Sequence, residues 1–209
     1  MNPPNIITIV RIVLTPAVWW MVMSPGVTVR LVGWVVFLAA ALSDIWDGYL
    51  ARKHGWVTDF GKLLDPLADK LLLVVTLVPT YLLSQPSGVA SSLGFIDALP
   101  IWVLAVIFGR ELLVTLLRQV AQRRGSVIAA GIWGKRKALA QNLFVGGALL
   151  WFPLAQLALD RDWVETPVWG VWSSLHSSWN LVTLGLAVGL SVYSLAEYFW
   201  RHRRLFGFN

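Results

Sequence analysis

Six long apolar runs limit what this chain can become. They fall at about residues 6–23, 31–50, 67–83, 99–117, 139–159 and 178–200. Each approaches the roughly 20 residues with which an α-helix crosses the hydrocarbon of a bilayer. Lipid offers backbone N–H and C=O groups no partners, so such a segment must satisfy its hydrogen bonds internally, as a helix. The predicted fold class is therefore all-α, a polytopic membrane protein with six transmembrane helices. The runs occupy most of the 209 residues, so 1–209 reads as a single membrane domain with no room for a separate soluble module. Only 13% of residues are charged, against about 25% in an ordinary soluble domain.

The basic residues test the span count. The connections after the first, third and fifth runs carry Arg30, nothing, and Arg161. The alternate connections and the C-terminus carry twelve: Arg52, Lys53, Lys62, Arg118, Arg123, Arg124, Lys135, Arg136, Lys137, Arg201, Arg203 and Arg204. Lys and Arg favour the cytoplasmic side, so this alternation predicts that both termini are cytoplasmic. The formal net charge of +6 then follows mostly from topology, with attraction to anionic headgroups added. It is not read as nucleic-acid binding. The first apolar run lacks a basic leader and a small-residue cleavage site, so it is expected to be a retained span. With no cysteine, disulfides and thiolate metal ligands are excluded. Trp19, Trp20, Trp163, Trp169 and Trp172 are expected as anchors at the outer interface. "AGIWGKRK" is no phosphate loop, because Ala129 stands at the first glycine position and Arg136 at the Ser/Thr position.

Against this apolar background, residues 43–70, "SDIWDGYLARKHGWVTDFGKLLDPLADK", hold five of the eleven acidic residues. Asp44 and Asp47 are three apart at the end of the second run. Asp65 and Asp69 are four apart at the start of the third, so each pair shares a helix face. Pro66 suits the first turn of that third helix. A short connection predicts an antiparallel hairpin that turns the two pairs toward each other, while Asp59 reads as a solvated or capping charge. Carboxylates converging in a low-dielectric place repel one another unless something relieves them. Hard divalent cations, neutralisation by Arg52 and Lys70, or protonation in a relay would each do so.

The pattern Asp44-x2-Asp47-Gly48-x2-Ala51-Arg52-x8-Gly61-x3-Asp65-x3-Asp69 resembles, at every fixed position, the signature of the CDP-alcohol phosphotransferase family. The stretches "PNIITIVRIVLTP" (4–16), "GKLLDPLADKLLL" (61–73) and "GRELLVTLLRQVAQRRGSVIAAGIWGKRKALAQ" (109–141) are similar to the phosphatidylglycerophosphate synthases within it. Together they span the first two-thirds of the chain. Ala138 departs from the pattern, which has a threonine there.

The resemblance implies an enzyme of phospholipid biosynthesis, embedded in the bacterial inner membrane with its active site at the cytoplasmic face. It would transfer the phosphatidyl group of CDP-diacylglycerol to sn-glycerol 3-phosphate and release CMP. It implies two divalent cations, Mg2+ or Mn2+, held by Asp44, Asp47, Asp65 and Asp69, with Asp69 also the general base. Asn5, Thr8, Gly48, Ala51 and Arg52 would bind CDP-diacylglycerol, helix capping being the plainer role of Asn5 and Thr8. Arg110, Arg118, Lys135 and Lys137 suit the acceptor's phosphate. Arg110 and Arg118, eight apart, share one side of the fourth span, and Glu111 can neutralise or orient Arg110. No catalytic role falls to His54, His176 or His202, which read as loop or tail residues. Relatives imply a homodimer. Two alternatives stay open: another acceptor (phosphatidylglycerol, inositol phosphate or serine), or a transporter, which would carry its ionisable groups nearer the membrane midplane.

Overall fold

The computed structural model describes residues 3–56, 58–85, 93–123 and 131–202, apart from the side chains of 4, 45, 47–52, 59, 60, 62, 63 and 202. Among the described residues the chain is all-helical: α1 (Pro3–Met23), α2 (Val27–His54), α3 (Asp59–Ser84), α4 (Ile101–Arg123), α5 (Ile132–Asp160) and α6 (Pro167–His202). Five of these contain a segment long and apolar enough to cross a membrane: Asn5–Met23, Val27–Asp44, Leu64–Ser84, Ile132–Asp160 and Pro167–Arg201. α4 is not among them, its apolar run being broken by Arg110, Glu111 and Arg118. At 1.5 Å per residue the 28 residues of α2 extend roughly 42 Å, beyond the ~30 Å hydrocarbon core, so one end of α2 stands in a polar region.

Every helix but α4 begins before its apolar run does. Hydropathy marks the lipid-compatible middle of a helix, whereas its start is set by capping chemistry. Thr58 has extended backbone, and its side chain accepts a hydrogen bond from the Gly61 N–H at 3.0 Å, which starts α3 at Asp59. Asp59 is therefore the first helical residue. Pro66 lies eight residues in, rather than in the first turn. Lys135 and Lys137, expected in a connection, occupy the first two turns of α5. His54 and His202 close α2 and α6, and His176 is inside α6 with Nε2 3.0 Å from the Gly147 carbonyl. None of the three histidines lies in a loop.

The packing also revises the expected hairpin. Among the described residues α1 packs along both α2 and α3, while α2 and α3 scarcely meet. α5 is the most enclosed helix, held by α6, α2 and α3, and α4 leans on α6. Lipid gives helices no hydrophobic reason to associate, so close fit decides. A Cβ on Gly33 would stand 2.7 Å from Met21 Cβ, so glycine there sets the α1–α2 approach. Phe37, Leu77, Val103, Ile107, Phe144 and Phe152 interlock the helices in one buried cluster. Trp34 Nε1 donates to the Gly146 carbonyl at 2.8 Å and ties α2 to α5. Trp169 and Trp172 pack with buried Trp151, and the rings of Trp172 and His176 stack 4.7 Å apart.

Candidate active site

Asn5, Thr8 and Arg11 recur every three residues along α1 and so share a face. All three are buried, Arg11 to 2% exposure. That face supplies a hydrogen-bonding group to each of the neighbouring acidic elements. Asn5 Nδ2 donates to Thr58 Oγ1 at 2.9 Å, and the threonine hydroxyl lies 3.2 Å from Asn5 Oδ1, so α1 buttresses the residue that caps α3. Thr8 Oγ1 donates to Asp65 Oδ1 at 2.9 Å. Arg11 Nη1 donates to Asp44 Oδ1 at 2.5 Å and lies 3.3 Å from Asp69 Oδ1. The fixed Gly61 has a steric reason here: a Cβ at 61 would lie 2.8 Å from Asn5 Oδ1.

Three of the four signature aspartates thus come to one corner. Asp47, Gly48, Ala51 and Arg52 follow Asp44 on α2, but their side chains lie outside the described residues. Among the described residues the cation on Asp44 and Asp69 is Arg11; the side chain of Arg52, also considered from sequence, lies outside them. Among the described residues, no three carboxylates or imidazoles are arranged to hold a metal ion, and the Asp47 carboxylate is not one of them. The donor chemistry nevertheless fits a hard divalent cation. The ligand atoms are all carboxylate oxygens, and the space between Asp44 and Asp69 already accommodates positive charge. Both carboxylates stay open on their other side, with side chains 41% and 57% exposed.

A second polar cluster forms where α4, α5 and α6 meet. Arg110 and Lys137 are buried, at 8% and 4% exposure, and both donate to Glu111 Oε1, Arg110 Nη1 at 3.1 Å. Arg110 Nε donates to Ser194 Oγ at 3.1 Å, and Gln141 Nε2 to Ser191 Oγ at 3.3 Å. Tyr198 stands beside Arg118. Of the four cations assigned to an acceptor phosphate, Arg110 and Lys137 share this cluster, Arg118 lies two turns along α4, and Lys135 is exposed on the first turn of α5. The two clusters are neighbours, for Lys137 lies close enough to Asp69 to feel its charge.

The sequence pattern of the CDP-alcohol phosphatidyltransferase family matches residues 1–192. The chain belongs to that family. It is 38% identical over 199 residues to the CDP-diacylglycerol–glycerol-3-phosphate 3-phosphatidyltransferase of Bacillus subtilis (strain 168), covering 86% of this chain and 96% of the relative. It is 32% identical over 216 residues to the Pseudomonas fluorescens protein of the same name, covering 99% of this chain and 94% of that one. A probable phosphatidylglycerophosphate synthase of Mycobacterium tuberculosis (strain ATCC 25618 / H37Rv) is 36% identical over 148 residues, covering 69% and 64%.

This CDP-alcohol phosphatidyltransferase is accordingly an enzyme and, with five helices able to span, a multi-pass membrane protein. Two parts of its site escaped the sequence reading. Arg11 carried a signal, being a charge inside an apolar run and in register with Asn5 and Thr8. Ser191, Ser194 and Tyr198 carried one too, as polar groups at helical spacing along an otherwise apolar α6.

Proposed function

We propose that this membrane enzyme transfers the phosphatidyl group of CDP-diacylglycerol to sn-glycerol 3-phosphate, giving phosphatidylglycerophosphate and CMP. One adjacency carries the reading: buried Lys137, which with Arg110 suits a phosphate, lies near enough to the corner of signature aspartates to feel the charge of Asp69. An acceptor with a phosphate at one end and a hydroxyl at the other spans such a pair of sites. The names of the long-matching relatives agree with it. The acceptor hydroxyl attacks the phosphorus that bears the diacylglycerol. A new O–P bond forms, the bond to the CMP oxygen breaks, and Asp69 takes the hydroxyl proton.

In this reading Arg110, Arg118, Lys135 and Lys137 hold the acceptor phosphate, with Arg supplying forked donors and Lys a mobile point charge. Gly48 and Ala51 leave room for the cytidine diphosphate and Arg52 reaches its phosphates. Asn5 and Thr8 stand at the same pocket, steadying Thr58 and Asp65. Asp44, Asp47, Asp65 and Asp69 would hold two Mg2+ or Mn2+ ions, which when bound neutralise the donor's diphosphate and stabilise the entering and leaving oxygens. Both termini and the active site lie on the cytoplasmic side of the inner membrane, α4 being the remaining crossing. Arg110 and Glu111 neutralise each other within it.

The test supplies the purified protein, Mg2+ or Mn2+, and CDP-diacylglycerol with a panel of acceptor alcohols, then identifies the lipid formed and the CMP released. Phosphatidylglycerophosphate from glycerol 3-phosphate is expected. Turnover only with phosphatidylglycerol, inositol phosphate or serine would refute the acceptor assignment.

A further inference from the structure

Arg11 is the least exposed charge in the acidic corner, and nothing in the family signature assigns it a task. A buried guanidinium persists only where its charge is compensated. Among the described residues Arg11 meets that need with carboxylates from two different helices, Asp44 of α2 and Asp69 of α3, both reached by Nη1. Asp65 is treated differently, taking a neutral hydroxyl from Thr8. The guanidinium approaches from the packed side, at 2% exposure, while the carboxylates remain open on the other.

We propose that Arg11 is the resident counter-ion of the carboxylate site, bridging Asp44 and Asp69 while no divalent cation is bound and giving up that bridge as one binds. This rests on the reading of these aspartates as the metal site. The physical argument is competition for the same lone pairs. The carboxylates that accept from Nη1 are those that would hold a divalent cation, and a guanidinium and a metal ion on the same carboxylates would repel. Without Arg11 the two aspartates would repel each other and α1 would lose one of its polar ties to α2 and α3. With it, the corner is assembled before the metal arrives.

The consequence separates a competing counter-ion from a scaffold. A residue that merely positions the ligands weakens metal binding when removed, whereas a competing cation strengthens it. A charge-assisted hydrogen bond is strong enough for its loss to shift affinity about tenfold. Mn2+ affinity is measured from the free-ion EPR signal for the full-length protein in nanodiscs, as wild type, Arg11→Met and Arg11→Lys. Thermal unfolding is followed in EDTA and in saturating Mn2+. Arg11→Met is expected to bind Mn2+ about tenfold more tightly than wild type and to gain more thermal stability from it. Arg11→Lys, which keeps the charge but loses the fork, should fall between, and it decides the matter if Arg11→Met does not fold. Equal or weaker Mn2+ affinity in the variant would overturn the counter-ion role alone. Absence of Mn2+ binding to wild type would overturn the metal reading, and this inference with it.

Discussion

Glu111→Gln offers the sharpest test of the α4–α5–α6 cluster. The Glu111 carboxylate is the shared acceptor for two cations that are almost wholly enclosed, Arg110 at 8% and Lys137 at 4% exposure. Glutamine keeps the shape and one carbonyl oxygen but removes the negative charge, leaving two like charges close together in a low-dielectric place. Removing one partner of a buried ion pair costs about 3–5 kcal/mol. The retained carbonyl argues for the lower end, about 3 kcal/mol. For a chain of this length each kcal/mol moves the melting temperature by about 2–4 °C, so a fall of about 6–12 °C is expected. Unfolding is followed by tryptophan fluorescence in detergent. The double variant Glu111→Gln/Lys137→Met removes the surplus positive charge and should recover most of the loss, since an apolar replacement of a buried pair is often neutral or better. A melting temperature for Glu111→Gln within 2 °C or so of wild type, or a double variant no better than the single, would refute the claim that Glu111 compensates this pair.

Three further outcomes are expected. Asp69→Asn should lower kcat at least about a hundredfold, the usual scale for losing a general base, while metal-dependent binding of CDP-diacylglycerol persists in equilibrium binding. Lys135→Ala should raise KM for the acceptor more than KM for the donor in steady-state assays, and because Lys135 is exposed its melting temperature should match wild type. Gly61→Ala places a Cβ 2.8 Å from Asn5 Oδ1, so Asn5 must leave Thr58 and the α3 cap loses its buttress. A loss of about 1–2 kcal/mol in denaturant unfolding is expected there, with Gly61→Ser worse still.

Much of this was legible in the chain itself. The six helices follow from apolar runs that lipid permits in no other form, and the aspartate corner follows from a spacing that places carboxylates on shared faces. What escaped has a common cause. The start of α3 depends on one threonine hydroxyl, and the starts of α5 and α6 lie in polar or mixed sequence that hydropathy ignores. Arg11 lies 33 and 58 residues from its two partners, so its role exists only once α1 has packed against both α2 and α3. Ser194 is 84 residues from Arg110, and that pairing too belongs to the assembled bundle rather than to any local pattern.

The position of α1 against both α2 and α3 also bears on how the protein is made. An arginine inside an inserting helix carries a penalty that reaches about 2.5–3.5 kcal/mol at the helix centre, and Arg11 lies about two turns into its span. α1 leaves the ribosome with that charge uncompensated, since Asp44 is 33 residues behind it and Asp69 is 58. At roughly 5–20 residues per second, about 3–12 s separate the synthesis of Arg11 from that of its second partner. Until Asp44 arrives on the second helix the first depends on the translocon or on anionic headgroups to shelter its charge, and only the third helix completes the bridge. Release of α1 alone into bulk lipid would strand an arginine there, so the order of the helices favours release of α1 together with its carboxylate-bearing neighbours.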